Sequence, residues 1–510
     1  MKKYILTVLL FTSIASYAQV PDDALKLSWF TANGTARNVA IGGVMGSLGG
    51  DLSAANINPG GLGLYKTNEF VLSPGLFNFN NKLKYRGTDT STTKTGFSYG
   101  PIGFVFGKAA QSKYSLFTSS AFSISVNELA SYNNRIQYKG FNNSSSFSEQ
   151  YLEELVRDKA DTNAALSNYI FGSSLAFRSY LIDTIRGANG SVAGYQSLVP
   201  IKSGINQNYD AATKGGYHEI ALGLAGNIHD KLYIGGSLVI PIVSYKRDFI
   251  FTEKDATNNP NNQFASFTYS EQFQSSGVGV GAKLGLIYKP QDSWRLGFAF
   301  HTPQIITFTD RIRSSIITNT ESYAGTIKVT SDELNSGNAG ERKYNVATPY
   351  RAIGSVSYVF KEVKDVRKQK GFISADVEFV NYKGARFRIQ NAQDDNKTSY
   401  FNQVNDGVKS YFKGNFNFKI GGELKFNVFA VRLGTAYFGS PYTDEQIAAS
   451  KVLATGGIGY RNKGMFIDLG YAHTFVKDVN FPYRLNDVAN TYATQTGSTN
   501  NIVLTLGFKW

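Results

Sequence analysis

The chain ends on the stretch Asn501-Ile502-Val503-Leu504-Thr505-Leu506-Gly507-Phe508-Lys509-Trp510, in which large apolar residues occupy every second position from Ile502 onward. Successive side chains of a β-strand point to opposite faces of the sheet, so this stretch predicts a strand with one apolar and one more polar face. The same alternation recurs upstream, most clearly at 465–471, 416–426 and 294–300. The pattern therefore predicts an all-β protein.

Fourteen such strands can be placed along the chain, and the connectors between them alternate in length. Connectors after the even-numbered strands are short, such as His229-Asp230 and Asn462-Lys463, whereas those after the odd-numbered strands are mostly long. Outer-membrane barrels have short periplasmic turns and long outer loops, while a soluble sandwich has no reason to sort its loops in this way. The pattern therefore favours a 14-stranded antiparallel transmembrane β-barrel. The strands are expected near 68–79, 96–107, 114–127, 216–228, 231–249, 264–289, 293–309, 346–360, 371–386, 412–426, 428–439, 450–461, 464–477 and 499–510.

Residues 1–18 have the features of a signal peptide. Lys2 and Lys3 precede an apolar run at 4–14, and Ser16 and Ala18 supply the small residues needed for cleavage before Gln19. The run is too short to cross a hydrocarbon layer of ~30 Å as a helix. We therefore expect the segment to be removed on export, and the mature chain to be a multi-pass β-barrel in a cell outer membrane of the Gram-negative type.

Composition limits the partners of the protein. The formal net charge is +14 and the chain has no cysteine. An exported chain without disulfides needs another source of stability, which a closed network of backbone hydrogen bonds can supply. Because export argues against nucleic acid, the basic excess favours outer-membrane lipid and lipopolysaccharide as partners. The aromatic chain end, at Phe508 and Trp510, resembles the signal that the barrel-assembly machinery reads.

Sequence motifs for catalysis, cofactors and metals are missing. The four histidines lie far apart and form no HExxH pattern, and neither a G-x-S-x-G elbow nor a cysteine nucleophile occurs. The glycines at 277–285 resemble a dinucleotide-binding loop, but they lie within a period-two strand and open no helix. We therefore expect no enzyme activity, no cofactor and no metal.

Charged residues of both signs occupy the polar phase of the predicted strands, and in a barrel this phase faces the lumen. Mixed signs favour ion pairs across the interior over a filter for ions of one charge. The candidate lumen residues are Arg295, Asp376, Glu378, Lys419, Glu423, Arg432 and Asp468.

The long connector at about 128–215 contains a helical stretch. Ser146 and Glu149 have the spacing of a capping box, and Leu152, Leu155 and Val156 follow at helical intervals. This pattern predicts a surface helix that packs over the mouth of the barrel, within an extracellular insert.

The segment before the first strand carries a more specific signal. It contains Ala36-Arg37-Asn38-Val39-Ala40-Ile41-Gly42-Gly43, then Asp51, then Asn56-Ile57-Asn58-Pro59-Gly60-Gly61-Leu62. These residues resemble the N-terminal hatch of the FadL family, outer-membrane transporters of long-chain fatty acids and aromatic hydrocarbons. The Asn-Pro-Ala-Gly-Leu signature of that hatch falls here on 58–62. Weaker matches to family strand patterns follow at 285–290, 295–298, 301–303 and 374–379.

The resemblance implies a hatch at 19–67 inside a barrel at 68–510. It also implies a monomer that takes up a hydrophobic ligand passively and releases it sideways through a gap in the barrel wall. By the same resemblance, Asn58, Pro59 and Gly60 would lie near the gap, beside a kink in the third strand. Candidates for the kink are Thr118, Ser119, Ser120 and Ala121.

Two departures from the family pattern leave the ligand open. Gly60 replaces the usual alanine, and the helical insert follows the third strand, whereas the family carries its ligand-groove helices in later loops. Groove residues therefore cannot be carried over. The alternative is a FadL-like barrel that transports nothing and docks a secretion or surface-attachment complex. The interior distinguishes the two, because a transporter needs an apolar pocket that reaches a gap in the wall.

Overall fold

The computed structural model describes residues 23–510, except 32, 113, 361–369, 391–394, 446, 448 and 487. The predicted signal peptide at 1–18 lies outside the described residues. Most of the described chain is strand, and the strands form one closed antiparallel barrel of 14. This confirms the predicted fold class.

The fourteen barrel strands are numbered β1 to β14 in chain order, and several are interrupted by a bulge or bend. They are β1 (Glu69–Leu72 and Pro74–Tyr85), β2 (Thr88–Tyr99 and Ile102–Ala109), β3 (Phe117–Ser131, continued by Asn134–Asn142), β4 (Ile205–Ile228), β5 (Leu232–Asp255), β6 (Ser266–Gln291), β7 (Trp294–His301 and Ile305–Asn319), β8 (Gly340–Ala347 and Arg351–Phe360), β9 (Gly371–Asn381 and Arg386–Ile389), β10 (Gly414–Phe426), β11 (Phe429–Phe438), β12 (Ser450–Asn462), β13 (Met465–Asn480) and β14 (Ala493–Lys509).

Closure of the barrel comes from the pairing of β14 with β1. Phe508 lies opposite Phe70, and Ile502 lies opposite Leu76. Closure joins the first and last strands, and an open edge there in hydrocarbon would expose backbone groups that nothing could bond.

The outer face of the barrel is apolar and the inner face is more polar. On β13 the outward Leu469 is 43% exposed, whereas the inward Asp468 is 1% exposed. The outward phase of β14 likewise exposes Ile502, Leu504 and Phe508, while the inward Thr505 is buried. A greasy exterior around a polar interior is the arrangement expected of a barrel that lies in lipid.

Several connectors at one end of the barrel are short, as predicted. Two-residue turns at 427–428 and 463–464 lie at this end. The end of the chain lies there too, since Asn68 N donates to Trp510 O at 3.1 Å. The longer connectors, at 143–204, 320–339 and 481–492, lie at the opposite end.

The connector between β1 and β2 was predicted to be long, and this expectation is wrong. The two strands continue to a tight turn at Arg86 and Gly87. Their polar outer halves remain in register, with Asn80 opposite Thr93, and Asn78 Nδ2 donates to Thr95 Oγ1 at 2.7 Å. These halves lie beyond the apolar band, so they lack the alternation from which the strands were placed.

The extracellular insert is partly strand. β3 extends to Asn142 and β4 begins at Ile205, inside the range predicted as the insert. Between them lie a hairpin (Ile182–Arg186 and Val192–Ser197) and three helices, α4 (Glu149–Arg157), α5 (Thr162–Ser167) and α6 (Ser173–Arg178). The other described helices are α1 (Asp23–Lys26), α2 (Ala36–Ala40), α3 (Ala54–Ile57), α7 (Ser331–Leu334) and α8 (Asp395–Tyr411). None of the described helices has both the length and the apolar character needed to cross a membrane.

Helix α4 matches the predicted helix, but its start differs. Ser148 is the N-cap, and only half of the predicted capping box forms, because Ser146 N donates to Glu149 Oε2 at 2.7 Å. Ser146 Oγ instead donates to Glu253 Oε2 on β5 at 2.5 Å. Next to this bond, Phe147 stacks on Phe251 of β5 with ring centroids 4.7 Å apart. The insert is thus fixed onto the tall strands that rise above the apolar band.

A charge on the lipid-facing side of β13 should destabilise the barrel. We expect Leu469→Arg to lower the free energy of unfolding by about 2–4 kcal/mol, because arginine there would lie in hydrocarbon. Gln272→Arg is the control, since Gln272 also faces outward and is exposed but lies beyond the apolar band. Denaturant titrations in phospholipid vesicles measure both, and an equal loss in the two variants would contradict the placement of the band.

Candidate functional site: the lumen and its cavity

The N-terminal segment, defined as residues 23–68, contacts the inner face of the barrel on several sides. Ala36 N donates to Thr505 Oγ1 of β14 at 2.7 Å, and Thr455 Oγ1 of β12 donates to Ala40 O at 2.9 Å. On the opposite wall, the His301 ring of β7 lies 2.8 Å from Ile57 O. Almost all residues from 36 to 63 are buried. The segment therefore fills the lower lumen.

A chain of buried ion pairs joins this segment to the barrel. Arg37 lies 3.2 Å from Glu423, which also contacts Arg432 at 2.6 Å. Arg432 in turn contacts Asp468 at 2.7 Å. Removing one member of such a network would leave a buried charge without its partner, which is far more destabilising than losing an exposed pair.

The Asp376 carboxylate binds the segment through the backbone. Its Oδ2 accepts from Met45 N at 3.1 Å and from Gly46 N at 3.0 Å, while Oδ1 accepts from Ser355 Oγ at 2.5 Å. A carboxylate that accepts several backbone N–H bonds in a buried site is held in one position. This residue therefore fixes the height of the segment in the barrel.

The structure buries six of the seven predicted lumen residues, and the seventh, Lys419, is partly buried with its side chain 8% exposed. Glu378 lies 3.0 Å from Lys419 and 2.9 Å from Arg351, so one carboxylate serves two cations. Arg37 and Arg351 were missed by the sequence analysis. The signal for Arg37 was its place in the hatch-like motif, whereas Arg351 follows a proline-containing bend that interrupts its strand.

The Asn58-Pro59-Gly60 turn lies against β5, β6 and β7. Asn58 Nδ2 donates to Leu286 O at 3.1 Å and to Phe298 O at 3.3 Å, and its Oδ1 accepts from Gly60 N at 3.0 Å. The turn thus closes on itself while it binds the backbone of two strands.

Gly285 makes this close approach possible. A Cβ atom at Gly285 would lie 1.9 Å from Asn58 Oδ1 and 2.8 Å from Gly60 N. The glycine run of β6 is therefore a packing feature, which agrees with its placement in a strand rather than in a nucleotide-binding loop.

The third strand is irregular at two places. Pairing with β4 skips a residue between Phe117 and Ser119, at Thr118, and again between Glu128 and Ala130. At the first place Ser119 Oγ donates to Gly63 O of the N-terminal segment at 2.8 Å. Of the other two kink candidates, Ser120 is exposed on the outer face and Ala121 is buried on the inner face.

A stretch of the wall between β2 and β3 is held together by side chains. Within the described residues, the backbone pairing of these strands runs from Ile102 opposite Val126 to Ala109 opposite Ser119 and ends with the bond from Ala110 N to Thr118 O at 3.0 Å. Above this level Tyr99 N donates to Glu128 Oε2 at 3.2 Å, Thr92 Oγ1 donates to Arg135 O at 2.7 Å, and Asn81 Nδ2 of β1 donates to Asn134 Oδ1 at 2.7 Å. We name this stretch, between 88–99 and 128–135, the β2–β3 seam.

A cavity of about 410 Å³ lies in the lumen beside the N-terminal segment and the seam. Its apolar lining includes Leu27, Trp29, Phe30, Phe77, Phe79, Ile136, Phe438 and Leu453. The seam contributes Ser98, Glu128, Ser131 and Asn134 to the same lining. The cavity therefore reaches the part of the wall that lacks a backbone ladder.

Three donors hold the start of the N-terminal segment across this cavity. Tyr132 Oη donates to Lys26 O at 2.9 Å, Arg351 of β8 donates to Ser28 O, and Lys451 of β12 donates to Trp29 O at 2.6 Å. The Lys451 ammonium also lies 4.0 Å from the centre of the Trp29 ring. The cavity thus combines aromatic and aliphatic walls with a few fixed cations, a lining suited to a mostly apolar molecule with one polar end.

The fourteen-stranded barrel resembles solved structures of the FadL type in its fold. A solved FadL homologue from Pseudomonas aeruginosa matches with a TM-score of 0.54 at 13% identity, covering 94% of this chain and 98% of that one. The Pseudomonas putida toluene transporter TodX matches with a TM-score of 0.50 at 14% identity, covering 94% and 99%. At this identity the likeness shows a FadL-type fold. No protein-family model and no curated protein sequence matches the chain.

Adding a methyl group at Gly285 should displace the Asn58 turn. We expect Gly285→Ala to lower the free energy of unfolding by about 1–3 kcal/mol, the usual cost of overpacking a filled interior. The control is Gly354→Ala on β8, where an added Cβ would meet nothing within 4 Å. Denaturant titration measures the free energy of unfolding of both variants. An unchanged value for Gly285→Ala would show that the Asn58 turn does not pack closely against Gly285.

Breaking the Arg37–Glu423 pair should loosen the N-terminal segment while the barrel stays closed. We expect Arg37→Met to raise hydrogen exchange at 36–48, because breaking a buried pair costs about 3–5 kcal/mol. Lys66→Met is the control, since Lys66 and Asp230 form an exposed pair, a type worth about 0–1 kcal/mol. Unchanged exchange in Arg37→Met would mean that the pair does not anchor the segment.

Proposed function

We propose that this protein is an outer-membrane channel for passive uptake of hydrophobic small molecules, such as long-chain fatty acids, with sideways release through the β2–β3 seam. The observation that carries the proposal is that the lumen cavity is lined by residues of this seam. A docking barrel needs no such connection between an interior cavity and a weakened part of the wall.

The seam supports lateral release because its closure rests on few contacts. Its strands are joined there by single side-chain bonds, such as Tyr99 N to Glu128 and Thr92 to Arg135 O. Each such bond contributes only about 0.5–1.5 kcal/mol in net terms. Separating the strands at this place is therefore much less costly than breaking a continuous backbone ladder.

The seam suits release into lipid at its lower end, since the polar outer halves of β1 and β2 beside its upper part lie beyond the apolar band. It begins just above Val126, the last outward apolar residue before Glu128 on β3, and Leu76 and Phe97 are exposed beside it at 55% and 62%. An apolar molecule that leaves here meets apolar side chains rather than water, which is favourable in proportion to the apolar area kept from water.

The N-terminal segment supports the same route from below. We propose that residues 19–67 act as a hatch, since the described part of this range fills the lumen and is fixed by Asp376 and Glu423. A ligand in the cavity would have to disrupt buried ion pairs to pass downward. We place the exit at the seam rather than at the Asn58 turn, which lies against β5 to β7.

The cavity lining favours an amphipathic ligand. Aromatic walls such as Phe77 and Phe79 accompany Lys451, which donates to Trp29 O, lies over the Trp29 ring and interacts electrostatically with Asp478 of the same lining. A carboxylate at the end of an aliphatic or aromatic molecule would complement this lysine. Long-chain fatty acids fit that description, and the Pseudomonas putida barrel that shares the fold is a toluene transporter, which supports aromatic hydrocarbons as a second class of ligand.

Cross-linking the seam should stop uptake. The side chains of Asn81 and Asn134 meet across it, and the chain has no cysteine of its own. We expect Asn81→Cys with Asn134→Cys, joined by a short thiol cross-linker, to reduce fatty-acid uptake into vesicles to the protein-free rate. The control joins Lys84→Cys to Thr494→Cys, an exposed pair in register on the continuously paired β1 and β14.

If a gel shows that the two cysteines are cross-linked and the cross-linked barrel still takes up fatty acid at the full rate, lateral release at the seam is refuted. Mass spectrometry of molecules that co-purify with the barrel separates the remaining readings. An apolar molecule bound to a barrel whose uptake ignores the cross-link would indicate another exit. The absence of both a bound molecule and uptake would favour the docking subunit.

A further inference from the structure

A second feature of the wall lies on the outer surface of β4, β5 and β6, above the apolar band. There Lys214 lies directly opposite Lys246 in the register of β4 and β5. Both side chains are exposed and face outward. Side chains opposite each other on neighbouring strands have Cβ atoms about 4.5–5.5 Å apart, and like charges in such positions repel.

Neighbouring outward cations are arranged differently. Arg135 pairs with Asp210 at 2.5 Å, and Arg311 of β7 pairs with Glu341 at 3.2 Å. Among the described residues, neither Lys214 nor Lys246 has an ion pair within 4.0 Å. The two lysines therefore concentrate positive charge at one level of the wall, with the exposed Asp248 at the next outward position of β5.

The backbone holds the pair in place. Gly215, next to Lys214, has a φ of +115°, a backbone conformation that residues other than glycine rarely adopt. A Cβ atom at this position would lie 2.0 Å from Ser244 O. Tyr132 N also donates to Gly215 O at 2.9 Å, which ties this bend to the end of β3. The lysine pair thus projects from a fixed part of the wall and not from a loop.

The groups below the lysines follow an order along the strands. Ile242 and Val278 lie opposite each other at the top of the apolar band, and both are exposed to the exterior. Next come Ser244 and Ser276, again opposite and exposed, and then Lys246 opposite Gln274. Going outward, the surface offers apolar contact, then hydroxyl groups, then two cations.

We propose that this patch, formed by Lys214, Lys246, Ser244, Ser276 and Gln274, binds the phosphorylated headgroup of an anionic lipid in the outer leaflet. Such a lipid carries acyl chains, a hydroxyl- or sugar-bearing linker and a phosphate in the same order as the surface groups. Lysines near a membrane surface attract anionic headgroups. The proposal needs the barrel to lie in a membrane but does not rest on transport.

Lipid retention by the full barrel tests this site. The protein is placed in phosphatidylcholine nanodiscs with increasing lipid A, and native mass spectrometry reports the lipid A that stays bound. We expect Lys214→Gln with Lys246→Gln to weaken retention roughly 30-fold, since each lysine contributes roughly fivefold to anionic-lipid affinity. Lys214→Arg with Lys246→Arg keeps both charges and should retain the lipid.

The control is Lys202→Gln with Lys254→Gln, which removes two exposed lysines outside the patch and changes the net charge equally. All variants are first shown to unfold at the same temperature. Equal retention by the two glutamine double variants would overturn the proposal. Displacement of lipid A by inorganic phosphate at equal concentration would overturn it as well, because the patch would then be an ion site.

Discussion

The backbone of a chain in hydrocarbon must satisfy its own hydrogen bonds, and the rest of this structure follows from that constraint. Pairing of β14 with β1 removes the sheet edge, and the resulting cylinder forces side chains to alternate between lipid and lumen. The lumen then receives polar groups that have little access to water, so they need partners inside the protein. The N-terminal segment supplies many of them.

The contacts between the N-terminal segment and the barrel are unevenly distributed around the lumen. Arg37, Glu423, Arg432 and Asp468 form a network that joins segment and barrel, and its buried charges depend on one another. At the β2–β3 seam the ladder is replaced by individual bonds, among them Tyr99 N to Glu128. The proposed route therefore opens at the seam, whereas the buried ion pairs oppose passage below the cavity.

The sequence predicted the strands well wherever lipid imposes alternation, as on β13 and β14. The strand prediction failed beyond the apolar band, where side chains need not alternate between apolar and polar. The outer halves of β1 and β2 are rich in Asn and Thr and pair through backbone bonds, so no apolar period marks them. The prediction that the Ser146 hydroxyl caps the helix was wrong, because this hydroxyl donates to Glu253, which lies over a hundred residues away in the sequence. The seam depends on contacts between distant strands, such as Asn81 with Asn134, that no local pattern records.

The most direct test of the account is the side of β13 that meets lipid. Single cysteines at each position from 465 to 471 are labelled with a fluorophore in vesicles, and quenching by nitroxide-bearing lipids is compared with quenching by aqueous iodide. The account predicts strong lipid quenching at 465, 467, 469 and 471 and weak lipid quenching at the positions between them. Uniform quenching along the strand, or lipid contact at 466 and 468, would contradict an apolar exterior around a polar lumen.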